Sequence, residues 1–171
     1  MFGWTTRRLG GHFSASPNKK PAGQTLTKKR TGEAWIPADE YGRALPRFSL
    51  NLLVRDVQRS LPFYRDVLGA TVRYADEDFA ALVIVGMEFM LHADHTYDHH
   101  PLHERLRAPG PRGTGAELRV MGIDPDAVEA RARAAGDTII QPAADFPHGW
   151  RDVIVADRDG YHWAIGVALP Q

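Results

Sequence analysis

A strand, a polar cap, a short helix and a glycine stop follow one another in this chain, and the same unit returns once. The first copy is Phe48 to Ala70, FSLNLLVRDVQRSLPFYRDVLGA; the weaker second copy is Glu117 to Gly136, ELRVMGIDPDAVEARARAAG. In the first, Phe48–Val54 is apolar apart from Asn51, which predicts a partly buried strand. Asp56 and Ser60 both suit a helix N-cap. Pro62 kinks a helix begun at Asp56 but falls in the first turn of one begun at Ser60. Leu61, Tyr64 and Leu68 keep helical spacing, and Gly69 ends the helix. In the second copy Glu117–Met121 is a strand and Asp124 caps a helix with Pro125 at its first position. Ala127, Val128, Ala132 and Ala135 give that helix a small apolar face, and Gly136 stops it.

Each unit is followed by three more strands. Thr71–Tyr74, Phe79–Val85 and Met87–His92 follow the first, with a tight turn around Gly86. Thr138–Ile140 follows the second, and Arg151–Ala156 pairs with Tyr161–Val167 around DRDG at 157–160. The fold class is therefore α+β, two βαβββ modules repeated at about 70 residues. Module 1 runs 47–92, a connector rich in His, Pro and Gly runs 93–114, and module 2 runs 115–168. Leu102–Arg107 in the connector has the makings of one helical turn. Ahead of the domain, residues 33–46 carry the apolar anchors Trp35, Ile36, Tyr41 and Leu45, expected to pack on the domain or on a second subunit. Trp35 as a ligand-binding aromatic is the lesser expectation. Residues 1–32 are rich in Gly, Ser, Thr, Pro and Lys and read as a disordered basic tail.

Charge narrows the functional classes. Residues 1–30 hold seven Lys and Arg and no acid, whereas residues 31–171 hold 14 bases against 21 acids. An acidic body argues against nucleic acid as a partner, because phosphate affinity needs clustered bases. No apolar run approaches the roughly 18–20 residues that span a bilayer, so no membrane role is expected. Neither an export signal after Arg7-Arg8 nor an amphipathic transit peptide is evident, and a cytoplasmic setting is expected. With no cysteine there is no disulfide, thiolate metal site or cysteine nucleophile.

LLVRDVQRSLPFYRDVLGA at 52–70 and GWRDVIVADRDGYHWAIGV at 149–167 together resemble the vicinal oxygen chelate superfamily. That superfamily includes glyoxalase I, bleomycin- and fosfomycin-resistance proteins and extradiol dioxygenases. The resemblance covers about residues 47–168, although DPDG is commoner than DRDG in the closing hairpin. It implies sheets curled around a cleft, a homodimer, and in many members a divalent metal held at four strand positions. Carried onto this chain, those positions fall on Ser49, Met90, Gly115 and Ala164, with Glu117 replacing Gly115 if the strand aligns two residues later. Serine, methionine, glycine and alanine are poor ligands for such a metal, which wants imidazole nitrogen or carboxylate oxygen. No cofactor is therefore expected, with a divalent metal as the alternative.

The parity of the same positions picks out the cleft-facing side chains. The ligand-binding candidates are Asn51, Met90, His92, Glu117, Arg119 and His162. Trp150 is added, because it is expected in the Pro-Gly-rich loop (PHGW) ahead of the strand, placed to lean over the cleft and stack on a flat ligand. Glu117 with Arg119 equally reads as a solvated or cross-strand pair, and His162 as a packed strand residue. His92, His95, His99, His100 and His103 crowd 12 residues; a solvated loop is the expected role, an unusual metal or acid–base site the alternative. Two functions stay open. One is a metal-free protein that binds a small aromatic or cationic molecule, steered in by the acidic body. The other is a metal-dependent lyase, isomerase or dioxygenase-like enzyme, with catalytic candidates His92, Glu117 and His162. A third option is an accessory domain whose tail binds a partner.

Overall fold

The computed structural model describes residues 27–171. Most of the basic tail thus lies outside the described residues. Thr27–Arg30 already run along the domain, where the Lys29 amide donates to Asp78 Oδ1 at 2.8 Å. Helix α1, Ala38–Ala44, follows. Module 1 is then β1 (Leu50–Val54), α2 (Val57–Pro62), β2 (Thr71–Ala75), β3 (Phe79–Ile84) and β4 (Met87–Ala93). A single turn, α3 (His103–Leu106), lies in the connector. Module 2 is β5 (Glu117–Met121), α4 (Pro125–Ala135), β6 (Thr138–Phe146), β7 (Trp150–Ala156) and β8 (His162–Ala168). The expected α+β fold of two βαβββ modules is present. Sheet A has the order β1-β4-β3-β2 and sheet B the order β5-β8-β7-β6, and the two do not close into a barrel. In each, the outer pair β1–β4 or β5–β8 is parallel and the remaining pairs are antiparallel.

Local chemistry explains the elements. Asp56 is the cap of α2 and accepts from the Arg59 amide at 2.9 Å. Pro62 has no N–H to give back to the preceding turn. Beyond it the helix continues as a wider turn, Phe63–Val67, whose closing bond runs five residues, from the Leu68 amide to the Phe63 carbonyl. Asp124 accepts from the amides of Asp126 and Ala127, as a cap before Pro125 should. β3 and β4 are joined by Val85 and Gly86, both at positive φ (43° and 82°), the backbone a two-residue hairpin requires.

β6 is longer than its first three residues predicted. It runs on through Pro142 to Phe146, with a break in register between Gln141 and Ala144. β6 is an edge strand, where a missing donor is tolerated. The bulge frees the Ala143 amide, and Glu129 Oε2 on α4 accepts it at 2.6 Å. Trp150 also departs from expectation. It is the first residue of β7, paired with Phe146 and Ala168, and not part of the preceding loop.

The modules meet through their helix-bearing sides and share one core. Tyr64 from α2's wide turn, Phe89 from β4 and Trp163 from β8 form a three-ring contact with centroids 5.6–5.7 Å apart. α4 lies against the same wide turn, where Arg131 Nε donates to the Val67 carbonyl at 2.8 Å. A polar bolt runs beside these rings. Asp157 and Asp159, in the β7–β8 turn, are 6% and 3% exposed. Asp159 accepts from the Arg55 amide and guanidinium at 3.1 and 2.8 Å and from Ser60 Oγ at 3.2 Å. Asp157 accepts a short hydrogen bond from the Tyr64 hydroxyl and holds its own turn through the amides of Asp159 and Tyr161. Tyr161 Oη returns to the Leu53 carbonyl at 3.0 Å. The turn can approach so closely because Gly160 lacks a side chain: a Cβ there would come 2.5 Å from that of Pro111.

Removing one partner of a buried charged network strands the others without water. Asp159→Ala is therefore expected to cost about 2–4 kcal/mol of stability, measured by urea unfolding, with a surface change such as Asp66→Ala leaving the unfolding midpoint nearly unmoved.

Candidate functional site

With the helix sides turned inward, the other face of sheet A looks outward. The chain covers that face with its own lead-in segment. Trp35 stacks on Tyr74 of β2 at 5.1 Å with planes 8° apart. Tyr41 of α1 donates to Glu88 of β4 at 2.7 Å and meets Phe79 of β3 edge-on at 5.3 Å. Glu88 is held in turn by Arg73 at 2.6 Å. The segment thus forms a strap fastened by Asp78 at one end and Glu88 at the other.

Between strap and sheet lies a cavity of about 510 Å³. Trp35, Ile36, Tyr41, Gly42 and Leu45 form its strap side; Tyr74, Phe79, Met90 and His92 form its sheet side. Lys28, Arg30 and Asp78 also border it. Asp78 is occupied: its Oδ1 accepts from the Lys29 amide and from His95 Nε2 at 2.7 Å. Burial pushes the Asp78 carboxyl up, but those hydrogen bonds outweigh it and hold it below the usual carboxylate range.

His92 is the polar group of the sheet wall. Its Nδ1 is 2.7 Å from Asn51 Oδ1, and Asn51 Nδ2 donates to the Tyr97 hydroxyl at 2.8 Å. An amide oxygen only accepts, so this bond puts the imidazole proton on Nδ1 and leaves Nε2 as an acceptor. Among the described residues Nε2 has no hydrogen-bond partner. Burial pulls the His92 pKa down to about 4, against a smaller upward pull from Asp76, so the ring is neutral at pH 7.

Of the sequence candidates, Asn51, Met90 and His92 come together on sheet A. Asn51 pairs in register with Met90, and His92 with Phe79. Glu117, Arg119 and His162 form a second group on sheet B. Glu117 pairs with His162, while Arg119 holds Glu117 at 2.9 Å and the buried Asp152 at 2.8 Å. Glu117 and Arg119 thus pair along one strand, partly exposed, and not across two; what Arg119 meets on another strand is Asp152 of β7. Trp150, at the start of β7, shares this face of sheet B in register, two residues from the Asp152 that Arg119 holds. The remaining histidines disperse: His95 binds Asp78, His100 accepts from the Leu102 amide, His103 lies 3.7 Å from Asp98, and His148 stacks on Phe146. Sequence parity missed Tyr74 and Phe79, although it applies to them. β3 and β2 continue the sheet across from Met90 and His92, and their residues in register share the face.

The register also tests the family's metal positions. Ser49 stands two residues before Asn51, the partner of Met90. The equivalent in module 2, two before Arg119, the partner of Ala164, is Glu117 and not Gly115. Ser49 Oγ donates to the Pro46 carbonyl at 3.1 Å, Met90 is buried, and Ala164 has no donor atom. One carboxylate remains, which does not fit the group. Among the described residues no three His, Cys, Asp or Glu side chains are placed to hold a metal ion. No described helix is long and apolar enough to cross a membrane.

The architecture has known relatives. The model of the glyoxalase/bleomycin resistance protein/dioxygenase superfamily matches residues 47–165, and the chain belongs to that superfamily. A family enzyme from Burkholderia phytofirmans PsJN is 20% identical, with 71% of this chain and 97% of that one covered at a TM-score of 0.59. A glyoxalase/bleomycin resistance protein/dioxygenase from Nocardioides is 24% identical over 77% and 92% of the two chains, at 0.56. Lactoylglutathione lyase from Agrobacterium tumefaciens is 17% identical over 71% and 92%, at 0.53. At such identities the likeness is one of fold. No curated protein matches the chain by sequence.

The depressed His92 pKa ties stability to pH. As pH falls below about 6.5, the unfolded chain takes up a proton that folded His92 refuses until about 4. The contribution is whole above that window and lost through it. It amounts to about 2–4 kcal/mol, so a His92→Gln variant should lose less stability than the parent between pH 7 and pH 4 in urea titrations.

Proposed function

We propose that this chain is a small-molecule binding protein of its superfamily, and that the cavity between strap and sheet A is where it binds. The observation that carries this is the enclosure itself: about 510 Å³, walled by Trp35, Tyr41, Tyr74, Phe79 and Met90, with one open acceptor on His92. Ligand sites are typically apolar clefts of a few hundred Å³ with a small number of placed polar groups. Of the two ligand classes open from sequence, the lining favours an aromatic molecule over a cation. Lys28 and Arg30 stand at the cavity, and the one carboxylate that the described residues place there, Asp78, is already engaged by Lys29 and His95. The donor-poor metal positions favour binding without the family's usual metal. The enzyme reading built on His92, Glu117 and His162 draws less support, because those residues stand on two different sheets.

The proposal includes a homodimer acting in the cytoplasm. The second copy is favoured by the uncovered face of sheet B around Glu117 and Arg119 and by Phe48, which is 77% exposed at the entry to edge strand β1.

Gly42 offers a direct test. It lies in α1 against the cavity, and a Cβ built on it meets no atom within 4 Å. Gly42→Leu should keep or raise stability, by up to about 1 kcal/mol from helix propensity. The same variant should abolish the thermal shifts that aromatic ligands give the parent protein. Parent-like shifts in Gly42→Leu would refute this site. One tightly bound divalent metal per chain, by elemental analysis, would refute metal-free binding.

A further inference from the structure

Building on that cavity, we infer that its ligand is a planar aromatic compound carrying an O–H or N–H group that donates a hydrogen bond to Nε2 of His92. Three observations converge on this. The Asn51 bond fixes the proton on Nδ1 and turns Nε2 into an acceptor. Tyr97 holds Asn51 from behind at 2.8 Å, so the acceptor is oriented before any ligand arrives. Phe79 lies against the imidazole with ring centroids 4.8 Å apart, and Trp35 and Tyr74 present a stacked pair on the same cavity. A ring sliding into this space meets flat faces and the Nε2 acceptor of His92, which has no hydrogen-bond partner among the described residues.

Other groups at the cavity leave this role to His92. Asp78 Oδ1 is shared by the Lys29 amide and His95, and Asp78 Oδ2 is sealed from the cavity by burial. The Tyr41 hydroxyl donates to Glu88 and the Thr96 hydroxyl to the Ala93 carbonyl, which leaves each only oxygen lone pairs, weaker acceptors than an imidazole nitrogen. Lys28 and Arg30 donate and do not accept. They suit an anionic substituent of the ligand at the rim, on the opposite account from His92. The depressed imidazole pKa agrees with the geometry, since a neutral ring keeps Nε2 free to accept across physiological pH. Asn51 is a positioning residue in this scheme: it touches His92, and His92 touches the ligand.

Matched pairs of probes separate donor recognition from simple aromatic packing. 2-Naphthol donates and 2-methoxynaphthalene does not; indole donates and 1-methylindole does not. By calorimetry on the full chain, each donor should bind about threefold to tenfold more tightly than its methylated partner, the range a single net hydrogen bond supplies. His92→Leu should bring each pair to within about twofold. Should that variant fail to fold, the parent protein still answers: in ¹⁵N-histidine NMR the His92 Nε2 resonance should move upfield with 2-naphthol and stay in place with 2-methoxynaphthalene. Equal affinities within both pairs, a preference that survives in His92→Leu, or an unmoved Nε2 resonance overturns the inference. If the pairs bind equally yet Gly42→Leu blocks them, the cavity stands and only the donor rule falls. If none of the four probes binds, or all bind Gly42→Leu as they bind the parent, the cavity reading falls and the donor rule with it.

Discussion

Two buried aspartates in one turn hold the molecule in its working shape. Asp157 and Asp159 reach from the last hairpin of module 2 to Tyr64, Ser60 and Arg55 of module 1, spanning about a hundred residues of sequence. Such charges are stable away from water only when every lone pair finds a donor. The β1–α2 junction and the turn must therefore meet in one geometry. That geometry brings the helix side of each sheet into a common core with Tyr64, Phe89 and Trp163. The opposite faces are consequently turned outward, one covered by the strap and one left open by the described residues.

The strap converts a strand surface into a cavity. Sheet A by itself would show water a row of large side chains, Tyr74, Phe79 and Met90. Covering them entirely would leave a second core; covering them through a few aromatic contacts and two carboxylates leaves room. Asp78 fastens the strap's start and Glu88 fastens α1, while Gly42 leaves space at the middle. Within that space His92 is kept neutral by burial and kept in one tautomer by Asn51. The chemistry on offer is stacking and hydrogen-bond acceptance. Metal coordination finds no comparable set of donors at Ser49, Met90, Glu117 and Ala164.

Local rules carried much of this from the sequence. Caps at Asp56 and Asp124, Pro125 at a helix start and the apolar strand runs each act within a few residues, so the βαβββ repeat was legible. So were Met90 and His92 as neighbours, because strand parity needs no knowledge of the partner strand. What was not legible depended on distant partners. The DRDG turn reads as an ordinary exposed hairpin until Tyr64 and Arg55 are brought to it. β6 passes through Pro142 only because Glu129, on a helix, takes the amide the bulge frees. The strap's residues advertised burial, but which surface they covered, and how loosely, was set by Tyr74, Phe79 and Glu88. Assigning Glu117 in place of Gly115 likewise needed the pairing with β8.

The most direct measurement is the position of a bound aromatic molecule in a crystal of the full chain, grown with whichever compound stabilises the protein most in a thermal-shift series. Electron density for the ring is expected between the Trp35–Tyr74 pair and His92, with the strap closed over it and Nε2 within about 3 Å of a ligand donor. Density on the open face of sheet B, beside Glu117 and Arg119, with the strap cavity empty, would contradict it.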